Sequence, residues 1–223
     1  METNNVFDKI KSDGLLPLFY HDDVAVCIAI CKALYKGGVS CIEFTNRGVN
    51  ALENFKALVK ERNEGMHALL LGIGTITTAT EATDFIDNGA DFLVSPFYDK
   101  EINDVAKSRH IVYIPGCMTP RDIHIAKNAG CNFIKLFPGN VLGPDFLQAV
   151  KPLFRDMEFI VTGGVENDED NLMGWFNSGV VGVGMGSKLI TNTMVANKEY
   201  EKLYNTTAML LNFLKTINNN NLK

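Results

Sequence analysis

CNFIKLFPGN, residues 131–140, sets a lysine in the middle of a run otherwise built like a buried strand. Phe133, Ile134, Leu136 and Phe137 are apolar, and Pro138-Gly139-Asn140 is turn chemistry that ends the element. Lysine is among the residues least often fully buried, because stripping water from an ammonium is costly unless something compensates. Side chains alternate along a strand, so Phe133, Lys135 and Phe137 share one face while Ile134 and Leu136 share the other. If Ile134 and Leu136 meet helices, Lys135 points into an interior. The segments around it decide whether the fold has one.

Short apolar runs alternate with longer amphipathic stretches along the whole chain. The expected strands are 15–20, 41–45, 67–75, 91–96, 110–116, 131–138, 158–164 and 180–187. Stretches with helical spacing lie between them, such as DVAVCIAICKALYKGG and VNALENFKALVKERNEG. Gly38, Gly65, Gly89, Gly130 and Gly179 each precede a strand, where a helix C-terminus favours a left-handed residue. The strands recur every ~20–27 residues, the length of one strand-plus-helix unit. Eight such units predict an α/β fold, a (β/α)8 TIM barrel, within the size range of that architecture. An open doubly wound sheet is the rival, but no early GxGxxG fingerprint supports it. No linker divides the chain, which predicts one barrel domain over 1–223. Residues 1–13 are expected to form an N-terminal capping helix, and 217–223 a frayed polar tail after a helix near 198–216.

The balance of 21 Lys plus Arg against 26 Asp plus Glu gives a net charge of −5, and no basic run stands out. That argues against a nucleic-acid or anionic-membrane partner. No apolar run is long enough to span a bilayer, and the polar start does not resemble a secretory leader. Five cysteines without CxxC spacing fit a reduced, cytoplasmic setting. Cys27 and Cys31, one helical turn apart, read as core thiols rather than a metal pair. The histidines at 21, 67, 110 and 124 lack ligand spacing, so no metal site is expected.

In a barrel of this kind chemistry gathers at the C-terminal ends of the strands. Glu43, Thr45 and Arg47 fall there for the second strand, Gly74 and Thr75 for the third, and Ser95 and Pro96 for the fourth. Pro115 and Gly116 end the fifth, Lys135 lies in the sixth, Thr162-Gly163-Gly164 ends the seventh, and Gly184-Met185-Gly186-Ser187 ends the eighth. Alternation places Cys41, Glu43 and Thr45 on one face, so Glu43 and Lys135 both point inward. They are either a structural ion pair or a catalytic pair, in which a desolvated amine attacks a carbonyl and a carboxylate moves protons. Thr162, Gly163, Gly164, Gly186 and Ser187 fit a phosphate cradle built from backbone N–H groups.

Taken together, IEFTNRG, LGIGT, SP, YIPG, IKLFP, VTGG and GMGS, in this order and spacing, resemble the 2-keto-3-deoxy-6-phosphogluconate (KDPG) and 2-keto-4-hydroxyglutarate (KHG) aldolases. The similarity runs from about Leu16 to about Leu189. It implies a trimeric (β/α)8 barrel that uses a lysine Schiff base and needs no metal or other cofactor. Its partners would be small 2-keto acids and aldehydes. By the same resemblance Lys135 forms the Schiff base and Glu43 is the general acid/base. Arg47, Gly74 and Thr75 hold the pyruvate carboxylate, and Gly163, Gly164, Gly186 and Ser187 bind the distal phosphate. Thr162, Pro96, Pro115 and Phe137 line the pocket.

Several positions depart from the family pattern: Gly48, Phe97, Gly139-Asn140, Val161 and Met185. They bear on which C4 epimer is preferred and on whether a phosphate is required. The galactonate epimer of KDPG is therefore an alternative substrate. A phosphosugar decarboxylase is disfavoured, because Phe133 and Pro138 stand where its Asp-x-Lys-x-x-Asp acids would be. A non-catalytic sugar-acid-binding barrel is the remaining alternative. Trp175 reads as packing, and the acidic run Glu166–Asp170 as a solvated cap for the following helix.

Overall fold

The computed structural model describes residues 4–221. In chain order the elements are α1 (Asn4–Asp13), β1 (Leu15–Phe19), α2 (Val24–Lys36), β2 (Cys41–Thr45), α3 (Ala51–Gly65), β3 (Leu70–Gly74) and α4 (Ala79–Asp87). There follow β4 (Phe92–Val94), α5 (Lys100–Ser108), β5 (Val112–Ile114), β6 (Gly116–Cys117), α6 (Pro120–Asn128), β7 (Phe133–Leu136) and α7 (Gly139–Val150). The chain continues through β8 (Glu158–Thr162), α8 (Glu169–Ser178), β9 (Gly182–Met185), α9 (Asn192–Ala196) and α10 (Tyr200–Asn221).

All strand pairs are parallel, in the order β5-β4-β3-β2-β1-β9-β8-β7-β6. β5 and β6 are the expected fifth strand, broken at Pro115, which has no N–H to give to a ladder. Its carbonyl is still used: the Lys135 N–H donates to Pro115 O at 2.9 Å. With β5 paired to β4 and β6 to β7, that strand joins the two ends of the sheet into a barrel. Each of the eight expected strands is present: the second as expected over 41–45, the fifth running on to Cys117, and the others shorter by one or more residues.

Four of the five helix-ending glycines adopt the left-handed conformation, as expected: Gly38, Gly89, Gly130 and Gly179. Gly65 does not. It closes the last turn of α3, and Met66 caps the helix instead. The expected tail also differs, because α10 runs on to Asn221, with Ile217 buried against the core. Residues 1–3 and 222–223 of the expected terminal segments lie outside the described residues.

Alternation sorts the buried residues into two layers, as the barrel requires. Ile42, Phe44, Ile134 and Leu136 join the outer core beneath the helices, as do Cys27, Cys31 and Trp175. Burial pushes the Cys27 and Cys31 thiols up to about 11 and about 12, so both stay protonated. The inner layer contains Leu16, Cys41, Leu70, Phe92, Val112, Phe133 and Ile160, closed from below by Val6 and Ile10 of α1. Phe7 stacks on Phe133 with centroids 4.5 Å apart. Thus α1 plugs the N-terminal end of the barrel, and the floor beneath Lys135 is apolar.

This division separates stability from chemistry. Ile10→Ala removes a fully buried side chain from the plug, and denaturant unfolding is expected to show a loss of about 2–5 kcal/mol. Reaction of the folded variant at the opposite end of the barrel is expected to be unchanged.

Candidate active site

The C-terminal end of the barrel encloses a cavity of about 270 Å³. Glu43 rises from β2 and Lys135 from β7, and both line it while being 2 % and 5 % exposed. The Lys135 ammonium lies 5.1 Å from the centroid of the Phe137 ring, which also lines the cavity. Glu43 Oε2 is fully buried without a hydrogen-bond partner. Burial pushes the Glu43 carboxyl up, against the pull of Lys135 and then of Arg47. Burial pushes the Lys135 ammonium down, with Glu43 opposing the shift and Arg47 adding to it. Both shifts favour the uncharged forms, a neutral amine beside a carboxyl able to hold or take a proton.

β3 makes the room for this pair. Gly72 and Gly74 have no side chains to project inward. A Cβ on Gly72 would lie 2.2 Å from the Phe92 ring, and one on Gly74 would lie 1.8 Å from Glu43 Oε1. Gly74 therefore shapes the cavity from behind the carboxylate and does not line it. Thr75 follows in a left-handed conformation with φ 60°, an outlier for a β-branched residue that costs about 1–3 kcal/mol. Its Oγ1 accepts a hydrogen bond from Arg47 Nε at 3.4 Å, and both residues line the cavity. The loop carrying Arg47 is tied down by its neighbour, since Asn46 Nδ2 donates to Glu81 Oε1 of α4 at 3.0 Å.

Thr162 at the end of β8 and Gly163 and Gly164 after it, with Gly186 and Ser187 after β9, line the same cavity, as does Pro96 after β4. Gly163 and Gly164 are left-handed in succession, with φ 88° and 78°. Pro115 does not line the cavity. It lies in the barrel wall, where its carbonyl fixes the backbone of Lys135. Ser95 is likewise structural, with its hydroxyl hydrogen-bonded to Tyr113 Oη at 2.7 Å. Thr45 donates to Phe19 O.

Leu18, Val165, Gly184 and Lys188 also line the cavity. Leu18 and Gly184 could have been found by extending the inward alternation along their strands. Lys188 follows the last expected site residue and carries no motif of its own. Among the described residues, no group of three or more His, Cys, Asp or Glu side chains is arranged to hold a metal ion.

A family model described as KDPG and KHG aldolase matches residues 6–206. The chain belongs to this family. It is 29% identical over 180 residues to a probable 2-dehydro-3-deoxy-6-phosphogalactonate aldolase of Rhizobium meliloti, covering 80% of this chain and 82% of that protein. To a 2-dehydro-3-deoxy-phosphogluconate aldolase of Treponema pallidum it is 27% identical over 161 residues, covering 72% and 75%. The crystal structure of a KDPG aldolase from Legionella pneumophila, with pyruvate captured as a covalent carbinolamine, superposes with a TM-score of 0.83. That match has 22% identity and covers 91% of this chain and 96% of the other.

Against the family pattern, the departures at Gly48, Gly139 and Val161 have local explanations. A Cβ on Gly48 would lie 2.0 Å from Tyr20 Oη, and one on Gly139 would lie 2.5 Å from Val161 Cγ2. Gly48 thus accommodates Tyr20, and Gly139 and Val161 fit each other as a pair. Met185 is in the outer core, away from the cavity.

Gly74→Ala tests the β3 device. Its methyl must displace the Glu43 carboxylate, and a shift of about 1 Å at a reacting group is worth ~10²-fold in rate. Steady-state kinetics on the folded variant are expected to show a loss of that order in kcat.

Proposed function

We propose that this aldolase cleaves 2-keto-3-deoxy-6-phosphogluconate to pyruvate and glyceraldehyde 3-phosphate through a Schiff base on Lys135. The observation that carries this reading is the juxtaposition of two buried ionisable groups, Lys135 and Glu43, on one cavity. An arginine and two glycine-rich loops line that same cavity. An amine whose ammonium form is disfavoured by burial is a competent nucleophile near neutrality.

In the proposed sequence Nζ of Lys135 attacks the C2 ketone, and the carbinolamine, taking the proton of the Glu43 carboxyl, loses water to give a protonated imine and a Glu43 carboxylate. Glu43 takes the proton of the C4 hydroxyl. The C3–C4 bond breaks, its electron pair moves into the imine to form an enamine, and the aldehyde leaves. Glu43 returns a proton toward C3, and water then releases pyruvate and the free amine. Arg47, with Thr75, faces the substrate carboxylate with a planar two-pronged donor. Backbone N–H groups at Gly163, Gly164, Gly186 and Ser187 receive the phosphate.

The galactonate epimer is a second reading, favoured by one observation: relatives bearing the galactonate and gluconate names match at similar identity. A cleavage assay comparing both phosphorylated epimers with 4-hydroxy-2-oxoglutarate decides between them. The free thiols, all buried, support a reducing cytoplasmic setting. No described helix is long and apolar enough to cross a membrane.

Exposed Phe97, Met118 and Val141 follow β4, β6 and β7, neighbouring strands at the cavity end of the barrel. This apolar rim supports a homotrimer. Sedimentation equilibrium is expected to give three times the 24.6 kDa chain mass, and a monomer would refute the assembly.

Borohydride added with pyruvate is expected to leave a stable adduct on Lys135, located by mass spectrometry. An adduct on another lysine would remove the mechanism. Trapping should slow as pH falls, because the amine whose pKa burial lowers becomes protonated. Glu43→Gln is expected to reduce cleavage by ~10²–10⁴-fold while still forming the adduct. Full activity would assign the proton transfers to another group.

A further inference from the structure

The phosphate cradle brings together two loops, one after β8 and one after β9. A salt bridge spans them: Lys188 Nζ lies 2.8 Å from Glu166 Oε1. Lys188 follows Ser187 directly and lines the cavity, whereas Glu166 stands two residues beyond Gly164. The cavity has three basic side chains, Arg47, Lys135 and Lys188. Lys135 is the buried amine, and Arg47 is hydrogen-bonded to Thr75 on the β2–β3 side. Only Lys188 belongs to the loops of the cradle.

The Glu166 backbone N–H donates to Asn171 Oδ1 at 3.0 Å, which fixes the base of that residue. The neighbouring Asp168 is committed to capping α8, where it accepts from Asn171 N at 2.9 Å. Glu166 is therefore the acid of the run 166–170 that reaches across to the cradle, a role the expected cap did not include. Both side chains are partly exposed, at 51% for Lys188 and 44% for Glu166. The pair can exchange partners without burying a bare charge.

We propose that Lys188 is the phosphate-binding cation of this enzyme, and that Glu166 competes with the substrate phosphate for it. This deepens the aldolase reading and rests on it. Backbone N–H groups supply direction to a phosphate but only partial charge. A dianion arriving beside Glu166 would be repelled unless Lys188 transfers to it. The exchange makes distal charge a criterion of selection. A substrate ending in phosphate draws Lys188 from Glu166, and one ending in a hydroxyl leaves the salt bridge intact.

The test compares KM for 2-keto-3-deoxy-6-phosphogluconate with KM for its unphosphorylated counterpart. In Lys188→Met the ratio of the two values is expected to move against the phosphorylated acid by about tenfold, the scale of one charge-assisted hydrogen bond. Lys188→Arg should restore most of it. Glu166→Gln should lower KM for the phosphorylated acid by roughly two- to fivefold, the scale of one exposed ion pair. An unchanged ratio in Lys188→Met overturns the proposal, as does an unchanged or raised KM for the phosphorylated acid in Glu166→Gln. Pyruvate–borohydride adducts on Lys135 in all three variants report that the site is folded. A wild-type enzyme that traps no pyruvate and cleaves neither acid would refute the aldolase reading instead.

Discussion

Removing water from one ammonium and one carboxylate is the constraint on which this barrel depends. Burying either ion alone costs several kcal/mol, and their mutual attraction repays that only with good geometry and further hydrogen bonds. Here burial outweighs attraction for both Glu43 and Lys135. The pair is therefore a poor stabiliser, and the barrel favours the uncharged form of each member. The rest of the structure supplies its surroundings: an apolar inner layer below, glycines in β3 beside the carboxylate, and Phe137 beside the amine.

Stability must then come from elsewhere. The outer core beneath the helices is almost wholly apolar, and aromatic contacts such as Phe55 against Phe85, at 5.3 Å, run between helices. Polar groups near the site are anchored to the frame. Asn46 is tied to α4, Thr45 to β1, and the backbone of Lys135 to Pro115. The strained backbone of Thr75 persists because β3 on one side and the capped start of α4 on the other determine it. This arrangement lets a site that is itself unfavourable hold its geometry.

Much of this was legible in the sequence because a parallel barrel writes its layers as an alternation. The inward direction of Lys135 and Glu43 followed from Ile134 and Leu136, and from Ile42 and Phe44, on the opposite faces. Most of the expected site residues therefore line one cavity. What failed to show were interactions between residues far apart in the chain. Pro115 read as a pocket residue, yet its position in the closing strand turns its carbonyl into the wall. Gly74 read as a ligand-binding residue, and nothing in its own segment announced its packing against Glu43. Gly65 matched a left-handed cap by composition, while the turn chosen by Met66 satisfied the helix end instead. The polar asparagines after Ile217 suggested fraying, but the buried Ile217 carries α10 through them. Lys188 belongs to no motif, and only its pairing with Glu166 across two loops gives it a place.

The plug formed by α1 has a kinetic meaning. With Phe7 stacked on Phe133, and Val6 and Ile10 closing the inner layer, α1 shuts the N-terminal end of the barrel and leaves the site at the other. In the proposed reaction, a molecule tethered to Lys135 lets its outer fragment depart before the inner one can follow. Water for hydrolysis enters by the path the first fragment has vacated. The order of departure thus follows from which fragment stays bonded to the amine, and the closed end of the barrel leaves the first fragment only the way out that the substrate used to enter.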